Sequence, residues 1–435
     1  MIFNQKMECM GRDEMIALQE SRLRTIVKYA YDRVPFYKKK FDETGLKPED
    51  IRNIEDIEKI PFTTKDDLRD NYPFDMFAVP MSEIVELHAS SGTTGKPVVV
   101  GYTRNDMENW SEAVARLAAC AGLTKDDIAQ VAFGYGMFTG GFGLHYGLQK
   151  LGATVVPASS GNSERQIMYM QDFGTTALIS TPSYALYLSE VCEDMGVDPR
   201  SLSLRTGLFG GEGHSDELTA EIEKRWGITD TENYGMTEIV GPGVSGECTF
   251  KTGLHINEDM FLPEIIDPST EKGIGYCKKG EMVLTTLTKE GIPMLRFRTK
   301  DITVLYDERC DCGRTNARMN KVLGRTDDML IIKGVNVFPS QIESVLMKFA
   351  HTAPYYQIVL KNHGFMDTIE IQVEVADGSI LDSYRKLEAF ENEIKHDLRV
   401  VLQLDAKVKL VEPRSIERTA GKAKRVLDLR DKKQF

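Results

Sequence analysis

Three absences limit what this chain of 435 residues can be. It has no uninterrupted apolar run that approaches the ~18 residues of a membrane-spanning helix. Its opening stretch, MIFNQKMECMGRDEM, has acids and amides where a signal peptide needs a long apolar segment, so we expect a cytoplasmic protein. Basic residues are not in excess, since 54 lysines and arginines stand against 66 aspartates and glutamates, a net charge of −12. We therefore expect no nucleic-acid or membrane partner, and any polyanion that binds must be small.

A disulfide framework is not expected either, because seven cysteines are an odd number in a chain without a secretory signal. Those that stand singly are expected to be packing residues: Cys9, Cys120, Cys192 and Cys277. The others form a set with one histidine: Cys248, His255, Cys310 and Cys312. One imidazole and three thiolates favour a closed tetrahedral Zn²⁺ site that leaves no position for a catalytic water. Reduced thiols without a metal are the alternative.

What is present is the composition of an ordinary globular protein, with 41% hydrophobic residues. At ~150 residues per domain, the length predicts two to four domains. From about residue 88, strand-like segments alternate with amphipathic helices. The strands are predicted at 98–103, 130–136, 153–159, 176–181 and 206–212, and the helices at 107–121, 165–173 and 215–226. This alternation is typical of a mostly parallel sheet covered by helices.

A second pattern begins near Gly324. A strand over DMLIIKG is followed by a helix from Pro339, an alternating strand TIEIQVEVADG, a helix at about 381–400 and a strand at 406–412. This order predicts a small βαββαβ unit. We therefore expect an α/β fold in two parts, a large N-terminal domain over residues 1–326 and a small α+β lid over residues 327–435.

The sharpest local feature is the sequence SSGTTGKP at residues 90–97, between two strand-like segments. Its glycines let a ligand approach the backbone, its hydroxyls and amides suit phosphate oxygens, and Lys96 adds positive charge. It is not a Walker loop, because Ser90 stands where that pattern needs glycine, Pro97 follows the lysine, and a strand follows where a helix is required. Taken alone, the stretch also fits a Ser/Thr/Gly-rich hairpin turn.

Further motifs follow in order: NYGMTE at 233–238, RFRTKD at 296–301, GRTDDM at 324–329 and RTAGK at 418–422. With the loop at 90–97, they resemble the adenylate-forming superfamily, the AMP-producing acyl-CoA synthetases and their relatives. Longer segments, such as PFTTKDDLRDNYPF and GRTDDMLIIKGVNVFPSQIE, are similar to the family of phenylacetate–coenzyme A ligases, and this resemblance covers nearly the whole chain. It implies a multi-subdomain N-terminal α/β domain and a mobile C-terminal lid.

The resemblance also implies a site for ATP. Residues expected along the β- and γ-phosphates are Ser90, Ser91, Gly92, Thr93, Thr94, Gly95 and Lys96. Thr237 would contact the α-phosphate, and Glu238 would hold Mg²⁺, a hard cation that favours carboxylate oxygen. Lys422 would bridge the acyl carboxylate and the α-phosphate, a role that suits a compact charge on a long stem.

For the adenosine, the resemblance implies that Tyr234 stacks on the adenine and that Asp301 and Arg325 bind the ribose. The residues expected along the adenine edges are Gly210, Gly211, Glu212 and Asn233, and Gly235 and Met236 are also expected to bind the nucleotide. Taken singly, each of these residues also has an ordinary packing or surface interpretation, and the order of the motifs is what favours the functional one.

The run FGYGMFTGGFG at 133–143 is expected to form the acyl pocket, because aromatic rings separated by glycines permit a flat apolar slot. Its predicted lining residues are Tyr135, Gly136, Phe138, Phe142 and Gly143, with ordinary core packing as the alternative. For the second half-reaction, the resemblance implies that the lid turns about Asp327. The channel for the pantetheine arm of coenzyme A would then be lined by Lys333, Gly334, Val335 and Asn336.

Together these expectations describe an AMP-forming aryl-acid:coenzyme A ligase. Phenylacetate is the expected acid, ATP, Mg²⁺ and coenzyme A are expected reactants and cofactors, Zn²⁺ is structural, and the protein is a homodimer. Two alternatives stay open. One is a relative that acts on another aryl acid or passes AMP or the acyl group to a different acceptor. The other is a non-catalytic ligand sensor on the same scaffold, against which the presence of Lys422, Glu238 and Asp301 argues.

Overall fold

The computed structural model describes residues 1–90, 96–213, 215–332, 335–363, 366–381 and 384–430. The chain forms two compact units. The first comprises Met1–Ser180, Arg200–Gly211 and Ile228–Val322, and the second comprises Thr181–Pro199, Glu212–Gly227 and Leu323–Phe435. The second unit thus includes two segments of the predicted large domain besides the predicted lid. The domain division between residues 326 and 327 stays a prediction.

The α-helices of the described residues are α1 (Gln5–Glu8), α2 (Arg12–Arg33), α3 (Pro35–Thr44), α4 (Lys65–Asp70), α5 (Arg104–Cys120), α6 (Thr139–Leu151), α7 (Ser163–Phe173), α8 (Pro182–Asp194), α9 (Asp216–Trp226), α10 (Pro339–Leu346) and α11 (Tyr384–Leu402). Short 3-10 helices lie at Pro48–Asp50, Glu55–Lys59, Met81–Glu83, Pro199–Ser201 and Gly378–Ile380. None of the helices in these described ranges has both the length and the apolar character that crossing a membrane requires.

The β-strands are β1 (Glu86–Ala89), β2 (Val99–Tyr102), β3 (Ile128–Val131), β4 (Thr154–Val156), β5 (Ala177–Ser180), β6 (Thr206–Gly210), β7 (Thr229–Met236), β8 (Gly241–Glu247), β9 (Leu254–Ile256), β10 (Phe261–Ile266), β11 (Lys279–Thr286), β12 (Phe297–Tyr306), β13 (Arg318–Met319), β14 (Gly324–Arg325), β15 (Leu330–Ile332), β16 (Val335–Val337), β17 (Thr352–His363), β18 (Met366–Val375), β19 (Lys407–Val411) and β20 (Val426–Asp428).

The first unit is built on a large sheet with the strand order β10-β11-β12-β13-β9-β8-β7-β6-β5-β3-β4. Neighbours between β4 and β7 run parallel, and neighbours between β7 and β10 run antiparallel. The predicted α/β class is therefore confirmed, with the parallel half in the region of strand–helix alternation. Parallel strands bring their carboxyl ends to one edge, so the segments after β3, β6 and β7 lie there, where α/β sheets bind ligands.

Strand β3 is shorter than predicted, since it ends at Val131 while the predicted strand continued to residue 136. The chain leaves the sheet because α6 packs directly over the following loop. A Cβ on Gly141 would lie only 2.9 Å from the carbonyl oxygen of Gly134. The aromatic and glycine residues from Phe133 onward therefore form a loop and the start of a helix, not a strand.

Helices α5 and α6 approach closely because α6 has glycine at two contact positions. A Cβ on Gly143 would clash with the ring of Trp110, and a Cβ on Gly147 would clash with the side chain of Val114. Trp110 is also fixed to the sheet, because its Nε1 donates to the carbonyl oxygen of Pro242 at 2.8 Å. The base of the predicted acyl region is therefore a rigid helix pair.

The second unit has a four-stranded sheet in the order β19-β18-β17-β20. β17 and β18 are antiparallel, and the two outer strands run parallel to their neighbours. The predicted strand DMLIIKG is present as β15, but it pairs with β16 outside this sheet. The sheet instead includes β17 and β20, for which no strand was named from the sequence. The three residues of β20 are too few to show a period of two.

We expect Gly147→Ala to destabilise the protein, because the added Cβ has no room beside Val114. Overpacking of this kind costs about 1–3 kcal/mol. Gly140→Ala is a matched control in the same helix, since its Cβ would meet Phe133 at an ordinary 3.5 Å and alanine favours the helix. Thermal unfolding should show a lower melting temperature for the first variant only. Equal melting temperatures would contradict the packing argument.

Candidate active site

The ends of β6 and β7 meet through Gly210 and Asn233. These residues are partners in the sheet register, and a Cβ on Gly210 would lie 2.6 Å from the carbonyl oxygen of Asn233. Asn233 Nδ2 donates to the carbonyl oxygen of Phe209 at 2.8 Å. Gly211 follows with a φ of 83°, in the left-handed region that favours glycine. Three residues predicted at the adenine edge are thus close together in the first unit.

Tyr234 lies next on β7 and contacts a second residue of the predicted site, Asp301. Its hydroxyl donates to Asp301 Oδ2 at 2.6 Å, and both residues are buried. The predicted adenine residue and a predicted ribose residue therefore fix one another's orientation. A hydrogen bond to a carboxylate is among the stronger kinds, so movement of either side chain would break a strong contact.

The turn after β7 holds the predicted phosphate residue Thr237. Its shape depends on Gly235, because a Cβ there would clash with the carbonyl oxygen of Gly241 across the β7–β8 pair. Thr237 Oγ1 lies 3.3 Å from Oγ1 of Thr139, the first residue of α6. The turn is therefore connected to the helix that follows the predicted acyl loop.

Two lysines face the buried carboxylate of Glu238. Lys65 Nζ lies 3.0 Å from Glu238 Oε1, yet this oxygen accepts no aligned hydrogen bond from any residue that the structure describes. Lys289 is buried, and its Nζ donates to the carbonyl oxygen of Ile239. Burial lowers the pKa of Lys289 to about 8, although the carboxylates of Asp106 and Glu238 raise it. A buried carboxylate oxygen without a hydrogen bond fits the oxygen ligand that Mg²⁺ requires.

The predicted acyl region is an aromatic cluster. The Phe142 ring meets Tyr135 edge-on with ring centroids 5.2 Å apart, and its centroid lies 5.9 Å from that of Tyr146. Tyr135 Oη lies 3.1 Å from His145 Nδ1. Burial raises the pKa of Tyr135 and lowers the pKa of His145, so both side chains are held in their neutral forms at neutral pH. The cluster offers aromatic faces and uncharged polar atoms.

The other predicted lining residues differ in their surroundings. Phe138 is 52% exposed, and a Cβ on Gly136 would meet nothing within 4 Å. Both residues therefore border open space. Gly143 instead faces Trp110 in the contact between α5 and α6, so its effect on a pocket is indirect.

Part of the predicted site lies outside the described residues, namely Ser91, Gly92, Thr93, Thr94, Gly95, Lys333 and Gly334. The base of the 90–97 loop is described. Ser90 Oγ accepts from the backbone N–H of Val98 at 3.0 Å, and the Ser90 N–H donates to the Val98 carbonyl at 2.9 Å. Lys96 Nζ lies 5.8 Å from the ring centroid of Tyr72, within the range of a cation–π contact.

In the second unit, Glu212 holds the RTAGK loop. One of its oxygens accepts from the Ser183 N–H at 2.9 Å and the other from the Ala423 N–H at 3.0 Å. Thr181, the N-cap of α8, donates to the carbonyl oxygen of Gly421 at 3.1 Å. Glu212 was predicted at the adenine edge, and here it positions the backbone beside Lys422.

Arg418 begins the same loop and pairs with two acids. Its Nη1 and Nη2 donate to Glu374 at 2.6 and 2.9 Å, and its Nε donates to Glu190 of α8 at 3.1 Å. The guanidinium carbon lies 3.4 Å from the ring centroid of Tyr355. Arg418 therefore fixes the start of the loop that leads to Lys422, with Glu374 and Glu190 as its two acidic partners.

Two other predicted residues of the second unit lie together. Arg325 Nε donates to Asp327 Oδ1 at 2.9 Å, which joins a predicted ribose residue to the predicted hinge residue. Val335 and Asn336, predicted for the coenzyme A channel, lie on β16, where Val335 is half-buried and Asn336 is exposed.

The predicted Cys/His set is assembled in the first unit. The ligand atoms of Cys248, His255, Cys310 and Cys312 all lie within 4.8 Å of one another. Cys248 Sγ and Cys310 Sγ are 3.7 Å apart, and Cys312 Sγ lies 3.4 Å from His255 Nε2. Cys120, predicted to be a packing residue, is buried beside this cluster.

Lys65, Lys289 and Glu190 were not predicted from the sequence. A lysine after a Thr-Thr pair has the pattern of an ordinary first-turn residue, and Thr64 is indeed the N-cap of α4. Lys289 stands beside an acid in a polar turn, so no local signal indicates its burial. The similarity of the segment PFTTKDDLRDNYPF to the phenylacetate–coenzyme A ligases was the one feature that could have drawn attention to Lys65.

Comparisons with known proteins identify the family of the chain. Residues 14–284 match the AMP-binding enzyme family, and residues 334–430 match the AMP-binding enzyme C-terminal domain. The chain therefore belongs to the AMP-binding enzymes, the adenylate-forming class that the order of the motifs indicated.

Within that class, the chain is 46% identical over 444 residues to a phenylacetate–coenzyme A ligase of Thermus thermophilus, covering 99% of this chain and 100% of that protein. It is 46% identical over 436 residues to the phenylacetate–coenzyme A ligase of Escherichia coli K12, covering 99% of each. A crystal structure of 2-hydroxyisobutyryl-CoA ligase in the postadenylation state has a TM-score of 0.92 and 30% identity, covering 98% of this chain and 92% of that one. The predicted resemblance is confirmed, and the chain is an AMP-forming acid–thiol ligase.

We expect Glu212→Gln to loosen the RTAGK loop, because glutamine offers one acceptor oxygen to two backbone N–H groups. Loss of one hydrogen bond to a charged group should speed exchange of the amide hydrogen of Ser183 or of Ala423 at least ~10-fold, measured for both by hydrogen-exchange mass spectrometry. Glu193→Gln, at an exposed position of α8, removes the same charge and should leave the rate unchanged. Equal rates in the two variants would show that Glu212 does not hold the loop.

Proposed function

We propose that the chain converts phenylacetate, ATP and coenzyme A to phenylacetyl-CoA, AMP and pyrophosphate. The observation that carries this proposal is the 3.3 Å approach of Thr139 Oγ1 to Thr237 Oγ1. It links the helix of the aromatic cluster to the turn predicted to contact the α-phosphate. An aryl ring held by Tyr135 and Phe142 would have its carboxylate directed toward that turn. The phenylacetate–coenzyme A ligases that share 46% identity over the full length support the same acid.

In the proposed first step, a carboxylate oxygen of the acid attacks the α-phosphorus of ATP. An acyl–phosphate bond forms, and the bond to pyrophosphate breaks. Because both reactants are anions, the protein contributes mainly alignment and positive charge. Lys422 would neutralise the carboxylate and the α-phosphate, Thr237 would donate to the α-phosphate, and Glu238 would hold Mg²⁺, which supplies charge neutralisation at the phosphates when bound.

In the proposed second step, the thiol sulfur of coenzyme A attacks the acyl carbon, loses its proton, and AMP leaves. We propose that residues 327–435 turn as a lid about Asp327 between the two steps. The ion pair between Arg325 and Asp327 spans this point, so its residues are suited to stabilise one orientation of the hinge. The exposed Asn336 and its neighbours on β16 would then line the coenzyme A channel.

The first test is ATP–pyrophosphate exchange with Mg²⁺ and without coenzyme A, across phenylacetate and a panel of aryl and alkyl acids. We expect exchange that depends on phenylacetate, and thioester formation once coenzyme A is added. Exchange with a different aryl acid would reassign the substrate, and exchange without thioester formation would indicate another acceptor. Absence of exchange with every acid would overturn the proposal.

The same assay tests the role of Lys422. Lys422→Ala should reduce exchange about 10²–10³-fold, because a positioned charge at the reacting phosphate is lost. It should retain thioester formation from ready-made phenylacetyl-adenylate. Lys424→Ala, at an exposed position two residues later, should retain both activities. An equal loss of both steps in Lys422→Ala would contradict the assigned role.

We propose that the Cys/His cluster binds a structural Zn²⁺. Two thiolates at ~2.3 Å from a tetrahedral zinc lie about 3.8 Å apart, and the observed separation of Cys248 Sγ and Cys310 Sγ is 3.7 Å. Three of the four residues are buried, and a set of three thiols and one imidazole suits a closed site. The metal would connect the end of β8 to the turn after β12.

Cys310→Ser should therefore lose bound zinc, measured by elemental analysis, and should lower the melting temperature by at least ~5 °C. Cys277→Ser, at an exposed position outside the cluster, should change neither quantity. Unchanged metal content and stability in Cys310→Ser would show that the cluster is a group of reduced thiols.

We further propose that the enzyme works in the cytoplasm as a homodimer, with small molecules as its other partners. The net charge of −12 and the seven unpaired cysteines support a reducing compartment without polyanionic partners. The homodimer follows from the family resemblance.

A further inference from the structure

The segment PFTTKDDLRDNYPF, residues 61–74, places a lysine beside the predicted magnesium ligand. Lys65 Nζ lies 3.0 Å from Glu238 Oε1. The Lys65 side chain is 40% exposed, whereas that of Glu238 is 5% exposed. The pair is not an aligned hydrogen bond. The lysine therefore touches a buried carboxylate from the solvent side, where its ammonium is free to approach another anion.

The backbone of this segment is fixed in the first unit. Thr63 pairs with Phe297 of β12, and its Oγ1 donates to the carbonyl oxygen of Leu295 at 2.7 Å. Thr64 and Asp67 form a capping box at the start of α4. Lys65 thus has a rigid base, and only its side chain needs to move to change partner.

A second contact joins the same segment to the other predicted phosphate motif. Lys96, the lysine of the 90–97 loop, has its Nζ 5.8 Å from the ring centroid of Tyr72. Lys65 is the first residue of α4 and lies against Glu238, the predicted magnesium ligand. Tyr72 follows the end of α4 and lies beside Lys96 of the 90–97 loop. Both motifs predicted to contact the ATP phosphates border this segment.

The charges favour an anion as the incoming group. Glu238 already has Lys65 at 3.0 Å, and the buried Lys289 lies close enough to interact with it electrostatically. Lys289 also interacts with the carboxylate of Asp106, so Lys65 is the ammonium that a bare divalent cation would meet at the Glu238 oxygen. A polyphosphate brings the negative charge that lets Lys65 leave Glu238 without becoming unpaired.

We propose that Lys65 is a phosphate-binding residue, which exchanges Glu238 for a β- or γ-phosphate oxygen when magnesium-complexed ATP binds, and which stabilises the departing pyrophosphate. This inference rests on the proposed function, because it uses Glu238 as the magnesium ligand. It adds a cation from outside the loop at 90–97 to the phosphate site.

The test is calorimetric titration of the full chain with magnesium pyrophosphate and, separately, with AMP. Lys65→Met should bind magnesium pyrophosphate about 10–100-fold more weakly than the wild type, because a charge-assisted contact is lost, and should bind AMP equally well. Lys65→Arg should recover most of the affinity. Lys59→Met removes a half-exposed lysine that pairs with Asp56 and should bind both ligands like the wild type.

An unchanged affinity of Lys65→Met for magnesium pyrophosphate would overturn the inference, and so would an equal loss of affinity for AMP, which would indicate a structural defect. Wild-type ATP–pyrophosphate exchange separates this result from the proposed function. If the wild type shows exchange and Lys65→Met binds pyrophosphate normally, only the role of Lys65 is wrong.

Discussion

The phosphate turn, the segment after β7 with Thr237 and Glu238 that is predicted to contact the ATP phosphates, depends on the charges that compensate one buried carboxylate. Removal of an ionised carboxylate from water costs several kcal/mol unless charges or hydrogen bonds replace the lost hydration. Around Glu238 this compensation comes from Lys65 on α4 and Lys289 after β11, two elements distant in sequence. Lys289 is in turn stabilised by the Ile239 carbonyl and by the ring of Tyr102, 4.8 Å from its Nζ. The turn is therefore defined by electrostatics that extend across the first unit.

Strand β8 connects this turn to the Cys/His cluster. It begins at Gly241, shortly after Glu238, and ends at Glu247, immediately before Cys248. A strand is among the stiffest ways to span such a distance, because its backbone groups are paired on both sides with β7 and β9. A constraint at the cluster would therefore limit the movement of the strand whose other end adjoins the phosphate turn. This explains how a metal could matter to the enzyme without contacting substrate.

Local chemistry could be predicted from the sequence, and contacts between distant segments could not. The Cys/His set was recognisable because it depends on residue type and on two short spacings, from Cys248 to His255 and from Cys310 to Cys312. The parallel sheet followed from the alternation of strands and helices. The burial of Lys289 could not be predicted, because residues far along the chain produce it. Gly143 shows a second limit of prediction from the sequence. A glycine between aromatic residues looks the same in the sequence whether it borders a ligand or, as here, packs against helix α5.

The two partners of Arg418 differ in a way that bears on the energy of a moving lid. Glu374 is almost fully buried and belongs to the same C-terminal stretch as Arg418, so this pair would travel together. Glu190 lies on α8 and retains 16% of its side-chain exposure. A turn of residues 327–435 would keep the pair with Glu374 and break the pair with Glu190. It would also break the hydrogen bonds of Ala423 with Glu212 and of Gly421 with Thr181. Because the side chains of the Arg418–Glu190 pair are only 12% and 16% exposed, dissolved ions screen it little, and the proposed turn of the lid would require water to hydrate both charges anew.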